Sequence, residues 1–309
     1  MRAPKKISRQ ELELYIANHR KALRAKQLKK TLSPEQEKAL APLHKIHNAP
    51  IDLSDSDLKQ LNLQLINLSH ANLQNADLRG TVLNNANLSH ANMQNCDLRR
   101  AILQNTDLSH ADLRGAKLKD SKFSECCLTH AQLVSLDFTH CQMMAGIFQY
   151  SQLDESNWSE CDIRESDFRH ASLNKANFSN AHCVKCNFSH AKLNNANFTK
   201  ANCTQVQFTK SQAKSAIFFQ ANLTKINASY AQWHGAKLQS AILKNANFKN
   251  CDLSSADMRT HFINADFSCA ILDNINYSGA NIGSATITGT ALEQQTSDKI
   301  TGAIKRLVK

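Results

Sequence analysis

Histidine, cysteine and serine are the side chains whose chemistry has to be tested first, because all three recur at fixed intervals. Counting by twenty gives His70, His90, His110, His130, Tyr150, His170, His190, Lys210 and Tyr230. Imidazoles at such spacing offer a metal-binding or pH-responsive stripe. A tetrahedral metal centre needs ligands that converge, whereas side chains in parallel register point the same way. No cysteine or carboxylate interleaves at ligand spacing, so the column reads as a solvated stack of rings. Any role it has comes from charging at about pH 6, when neighbouring imidazolium groups would repel. Ser-His pairs at 69–70, 89–90, 109–110 and 189–190 lack an orienting carboxylate in a pocket, so a nucleophile–base reading fails.

The ten cysteines sort by position. Cys96, Cys126, Cys141, Cys161, Cys186 and Cys251 take one small-residue phase, and Cys183 and Cys203 a large-residue phase; all eight read as core filler. Stacked pairs such as Cys141 and Cys161 present parallel Cβ vectors, which suit a disulfide poorly. Cys127 and Cys269 point outward and are the candidate reactive thiols. With eight glycines there is no phosphate-cradling loop. Neither a cleft nor a convergent constellation is legible, so no enzyme, cofactor or metal is expected.

These intervals are multiples of a shorter one. Ala71-Asn72-Leu73, Ala76-Asp77-Leu78, Ala86-Asn87-Leu88, Ala91-Asn92-Met93 and Cys96-Asp97-Leu98 repeat a small, a polar and a large apolar residue every fifth position. A helix has period 3.6 and a strand period 2, so neither explains it. From Leu53 to Met258 the large position never slips, turning from mostly Leu to increasingly Phe. Phe219 is the one Phe outside that phase. Ile226 and Ala228 exchange large and small, which keeps the local volume. After Met258 the rhythm loses one residue, then resumes at Phe267, Leu272, Tyr277, Ile282 and Ile287, which predicts a kink or loosened corner.

Residues 1–50 lie outside the repeat. Ser8-Arg9-Gln10-Glu11 fits a capping box, and Leu12, Leu14, Tyr15, Ile16, Leu23 and Leu28 predict one face of a helix to about Lys30. Ser33-Pro34-Glu35-Gln36 predicts a second helix start. Ser297-Asp298 followed by Ile300, Ile304 and Leu307 predicts a short C-terminal amphipathic helix.

The pattern closely resembles the pentapeptide-repeat family, whose unit runs Ala-(Asn/Asp)-Leu-X-X, over residues 51–292. The resemblance implies an all-β fold, a right-handed parallel β-helix solenoid of quadrilateral section with four pentapeptides per coil. At twenty residues per coil that makes about twelve coils. The expected organisation is a basic helical N-terminal region at 1–50, the β-helix at 51–292 and a C-terminal capping helix at 293–309. The ends of such a stack are open edges that need covering, by these helices or by a homodimer contact through a terminal helix.

Charge carries the functional reading. The chain has 37 Lys/Arg against 26 Asp/Glu. Residues 51–167 hold sixteen acids and nine bases, whereas 168–251 hold eleven bases and no acid. The acids gather before the switch, at Asp154, Glu155, Glu160, Asp162 and Glu165. The bases follow at Lys185, Lys192, Lys200, Lys210, Lys214, Lys225, Lys237, Lys244 and Lys249. These are the candidate partner-binding residues, set against a solubilising coat. The leading expectation is a non-enzymatic scaffold whose charged faces dock a protein partner.

Three alternatives stand beside it. Some members of the resembled family mimic duplex DNA on DNA gyrase or topoisomerase and give inhibitor resistance, which needs an anionic contour. Basic segments could take nucleic acid or anionic lipid, and secreted bacterial effectors also occur in the family. Met1 to Arg20 holds no continuous apolar run and no window suits a membrane span, so a bacterial cytoplasmic setting with reduced thiols is expected.

Overall fold

The computed structural model describes residues 5–27, 32–41 and 50–293. The chain forms two compact units, Met1–Asn157 and Trp158–Lys309. Both use the same five-residue device, and its logic follows from where each backbone N–H goes. In the unit 71–75, the Ala71 N–H closes a tight turn onto the Leu68 carbonyl (3.0 Å). Those of Asn72, Leu73 and Asn75 reach the Ile51, Asn92 and Gln94 carbonyls of the neighbouring coils at 2.8, 2.7 and 2.9 Å. The remaining N–H, of Gln74, donates to the Asn72 side chain two residues back (3.3 Å). Every donor of this unit is thus accounted for, and an Asn or Asp in the triplet is favoured because it satisfies a group that no ladder reaches, although units with Val82, Ile102 or Lys192 there form the same bridges.

The turn ends on a residue with positive φ, such as His70 (61°), Asn75 (59°) or Gly80 (65°), the type II pattern. Parallel bridges link residues twenty apart, for example Asn72 to Asn92 and Asn197 to Ile217. Four pentapeptides therefore complete a coil of a β-helix solenoid. The small and large positions point inward and are buried almost throughout: Ala71 1%, Leu73 0%, Ala176 0% and Phe178 0% exposed. Where the small residue is polar, it donates to a turn carbonyl, either one coil back or, for Ser121, Ser151 and Ser156, in its own turn. Thr81 Oγ1 reaches Leu58 O and Cys96 Sγ reaches Leu73 O, both at 2.8 Å. No buried side-chain N or O lacks a partner among the described residues.

The core changes between the units. The first is mainly Leu. In the second, Phe168, Phe188 and Phe208 form one stack and Phe178, Phe198 and Phe218 another, with centroids 4.7–5.4 Å apart within a stack. The stacks meet edge-to-face, as between Phe178 and Phe188 (5.5 Å, 79°), the arrangement that ring quadrupoles favour. Trp233 continues the second stack at 4.4 Å from Phe218, and its Nε1 donates to Ser211 Oγ (3.1 Å). Ile226 and Ala228 are both buried, as their exchange of size predicts.

The lost residue after Met258 is absorbed at one corner. Bridges shift from a spacing of twenty to nineteen at Ile242–His261 and return to twenty at Asp266–Thr286. The Thr260 N–H turns sharply back to the Met258 carbonyl (2.7 Å), and its hydroxyl binds the Ala241 carbonyl. The expected kink is present as this sharp bend at Thr260, but the corner is sealed and not loosened, with Thr260 7% exposed.

At the other end, β1 (Lys5–Lys6) pairs in parallel with β2 (Ile51–Asp52), and α1 (Arg9–Gln27) and α2 (Pro34–Leu40) follow β1 in the chain. The predicted capping box forms between Ser8 and Glu11, and the predicted second helix start also closes one, between Ser33 and Gln36. The buried face of α1 is Leu12, Tyr15, Ile16, His19 and Ala22, whereas Leu14 is 64% exposed. The sequence pattern groups Leu14 with that face, but the i, i+3, i+4, i+7 set from Leu12 excludes it. Arg9 and Arg20 donate to the Asp57 and Asn62 carbonyls of the first coil (3.2 and 2.8 Å). Both ring nitrogens of His19 face carbonyls, of Ala39 and Leu65, tying α1 to α2 and to that coil. Leu28 to Lys30 and the helix predicted after Ser297 lie outside the described residues.

Candidate functional site: the outward columns

The histidine column forms as the register predicts. His70, His90, His110 and His130 stack at 4.5–4.7 Å, and Tyr150 follows at 5.0 Å. In the second unit His170 stacks on His190 at 4.7 Å. All six histidines sit at positive φ, which supplies a conformational reason for them: with Asn and Asp, His is enriched in this left-handed region. Desolvation, helped by His170 and Lys210, holds the His190 imidazole below its ordinary pKa. Among the described residues no group of three His, Cys, Asp or Glu is placed to hold a metal ion.

The inward cysteines are buried thiols outside any disulfide. Burial pushes the Cys96 and Cys126 thiols up to about 12 and Cys141 up to about 11, and it raises Cys186, Cys183 and Cys251 further. Thiols this hard to ionise are poor nucleophiles. Of the two outward cysteines, Cys269 is exposed and Cys127 half-buried.

The candidate charged residues divide by local pairing. Lys185 pairs with Glu165 (3.3 Å), Lys249 with Asp266 (3.1 Å) and Asp162 with Arg164 (2.6 Å). Among the described residues, Lys192, Lys200, Lys210, Lys214, Lys225, Lys237 and Lys244 have no ion-pair partner within 4.0 Å. Their positions in the twenty-residue register put them on all four faces of the second unit, so no single stripe gathers them. Glu155, Glu160 and Glu165 are exposed at positive-φ turn positions, and Asp154 is half-buried.

A second motif orders the surface. Each Asp-x-Arg triplet, at 77/79, 97/99, 112/114, 162/164, 167/169 and 257/259, folds the guanidinium back on its Asp. Arg79 donates through Nε (2.9 Å) and Nη2 (2.7 Å) to the two Asp77 oxygens, and Arg99 does the same to Asp97. These Arg hydrogen bonds hold the Asp77, Asp97, Asp162 and Asp257 carboxyls below the usual carboxylate range. The ladder of Asp77/Arg79 and Asp97/Arg99 is legible from the sequence. The groove beside it is not: Lys59, Gln60, Arg79, Gly80, Arg99, Arg100, Lys119 and Asp120 line a shallow recess of about 680 Å³ in the first unit. Its signal lies in the count by twenty, which lines up Lys59, Arg79, Arg99 and Lys119.

The family model for pentapeptide repeats matches the chain in eight copies, over residues 51–85, 81–120, 147–182, 181–224 and 216–254. No curated protein sequence matches the chain. Among solved structures, HetL, a pentapeptide repeat protein involved in heterocyst differentiation regulation in the cyanobacterium Nostoc sp. strain PCC 7120, is 23% identical. It aligns over 77% of this chain and 90% of its own, with a TM-score of 0.46. QnrB1, a plasmid-mediated fluoroquinolone resistance protein, is 17% identical over 77% of this chain and 96% of its own, with a TM-score of 0.34. A pentapeptide repeat protein of the Arabidopsis thaliana thylakoid lumen is 28% identical over 35% of this chain and 65% of its own, with a TM-score of 0.24. No helix among the described residues is long and apolar enough to cross a membrane.

Proposed function

Because the chain belongs to the pentapeptide-repeat family, we propose that it is a non-enzymatic protein–protein interaction scaffold, a right-handed quadrilateral β-helix whose charged faces dock a partner. One observation carries this reading. Most residues with catalytic potential are engaged by the fold, eight of the ten cysteines in the core and the stacked histidines at turn ends, while the charged side chains remain outward at a fixed pitch. Residues 1–50 cap the first coil and 293–309 the last, and the cytoplasm is the proposed setting. The docking residues are the unpaired lysines from Lys192 to Lys244 and the acids from Asp154 to Glu165.

A duplex-mimicking role is less well supported, because six cations share one face of the otherwise acidic coils 51–157. Gyrase supercoiling, with or without ciprofloxacin, is accordingly expected to be unchanged by the protein. The test of the scaffold reading is affinity capture at low and high salt. Partners held by charged faces are released as ionic strength rises. Capture that salt does not touch, or turnover of a substrate by the purified protein, would overturn the proposal.

A further inference from the structure

The coils of the first unit are acidic overall, with twelve Asp/Glu against eight Lys/Arg in residues 51–157. Six of those eight cations nevertheless occupy one face: Lys59, Arg79, Arg99, Arg100, Lys117 and Lys119. Their convergence is built by the register. The Gly80 N–H donates to the Arg99 carbonyl (3.0 Å) and the Arg100 N–H to the Lys119 carbonyl (3.1 Å), so the side chains rise in adjacent rows. Gly80 leaves the row beside Arg79 without a side chain, and the groove of about 680 Å³ opens there. Asp77 and Asp97 hold the inner edges of two guanidiniums, which fixes their outer N–H groups toward solvent. Among the described residues Arg100, Lys117 and Lys119 have no ion-pair partner within 4.0 Å.

We propose that this groove binds a short acidic segment of a protein partner in extended conformation; the proposal rests on the scaffold reading and names its partner's chemistry. Four cations at about 4.8 Å per coil make a row about 14 Å long. An extended peptide places alternate side chains about 6.8 Å apart on one side, so three carboxylates in a Glu-x-Glu-x-Glu pattern cover the same length. Guanidinium forks and the Lys119 ammonium group both suit carboxylates, while Lys59 already pairs with Asp57 at 3.0 Å. A nucleic-acid strand fits less well. The groove has no aromatic side chain for base stacking, and beyond Lys119 a longer polyanion would meet Asp120 and, one coil on, Asp137.

The experiment uses the intact protein and three fluorescein-labelled probes: a peptide with three Glu-x repeats, its Gln counterpart, and an oligothymidylate of matched charge. The variant is Arg100→Glu with Lys119→Glu. Position 100 has positive φ, a conformation that Glu125, Glu155, Glu160 and Glu165 already adopt, so the fold tolerates the change. The control is Lys122→Glu with Lys175→Glu, the same change of charge at two positions that do not line the groove. Anisotropy titration at low salt is expected to show the Glu peptide binding, the Gln peptide not binding, and the Arg100/Lys119 variant about tenfold weaker. The control variant is expected to change binding less than about twofold, as for charges outside the contact. Equal weakening by both variants, no binding of the Glu peptide, or tighter binding of the oligonucleotide would overturn the inference. The scaffold reading falls only if salt-sensitive capture of partners also fails.

Discussion

The two units run the same backbone device with different fillings and different coats. In the first, Leu fills the interior, Asp-Arg forks line one face and four histidines stack on another. In the second, Phe and Trp form crossed stacks inside, and unpaired lysines spread over every face. Since the turns and ladders are alike, the contrast separates what a five-residue repeat requires from what it leaves free. Required are the inward size alternation and a residue able to adopt positive φ, with Asn or Asp favoured where its side chain caps a turn N–H. The remaining outward positions are free, and there the units diverge.

The largest expected difference lies in the cores. Phe198→Ala in the second unit should cost about 3–5 kcal/mol and Leu88→Ala in the first about 2–5 kcal/mol, measured by chemical denaturation. The sharper probe is pairing. A double-mutant cycle between Phe198 and Phe218, stacked at 5.1 Å, should give a coupling of about 0.5–1.5 kcal/mol, and its absence would make the aromatic stacks mere volume.

The backbone should show no such contrast. Gly80 and Gly235 both have φ of 65°, and a Cβ there would meet only Gln60 Cγ at 3.6 Å and Ser215 Oγ at 3.5 Å. Gly80→Ala and Gly235→Ala should each cost about 1 kcal/mol, from conformation alone. Unequal losses in thermal denaturation would mean that the units differ in more than filling and coat.

Acid should separate the coats. Asp57, Asp77 and Asp97 in the first unit are held below the usual carboxylate range, chiefly by hydrogen bonds from Lys59, Arg79 and Arg99. A depressed native pKa gives stability that is present above the ordinary carboxylate value of about 4 and is lost as pH falls through the native value. Each pair is surface-exposed, so its contribution is small and shrinks further in salt. Hydrogen exchange between pH 5 and 3 should therefore loosen coils 51–120 before coils 168–251, which carry no acid at all.

The smallest effect belongs to His190. Its native pKa is depressed, so the unfolded chain takes up the proton first, and stability falls as pH drops below about 6.5. His190→Asn should flatten that slope slightly, as read by thermal melts between pH 7 and 5.

Much of this was legible because the repeat fixes every side chain's direction. Ala71, Leu73, Cys96 and Phe178 could be assigned inward from their phase, and the histidine stack and the Ser8 and Ser33 capping boxes follow from spacing. The reason for His70 and its column was not legible, since positive φ at the turn end belongs to backbone geometry. Leu14 falls off the predicted face because hydrophobicity alone does not say which arc of α1 meets the first coil. Thr260 closes a corner that a missing residue seemed only to loosen. The cationic groove escaped because net charge over 51–167 is negative and hides a face that only the register assembles.

The most direct test is low-salt affinity capture by three intact forms of the protein: the unmodified chain, Arg100→Glu/Lys119→Glu, and Lys225→Glu/Lys244→Glu. The account predicts partners that salt of roughly 0.5 M releases and that at least one reversal removes selectively. An identical set of partners retained by all three forms and surviving that salt would contradict it.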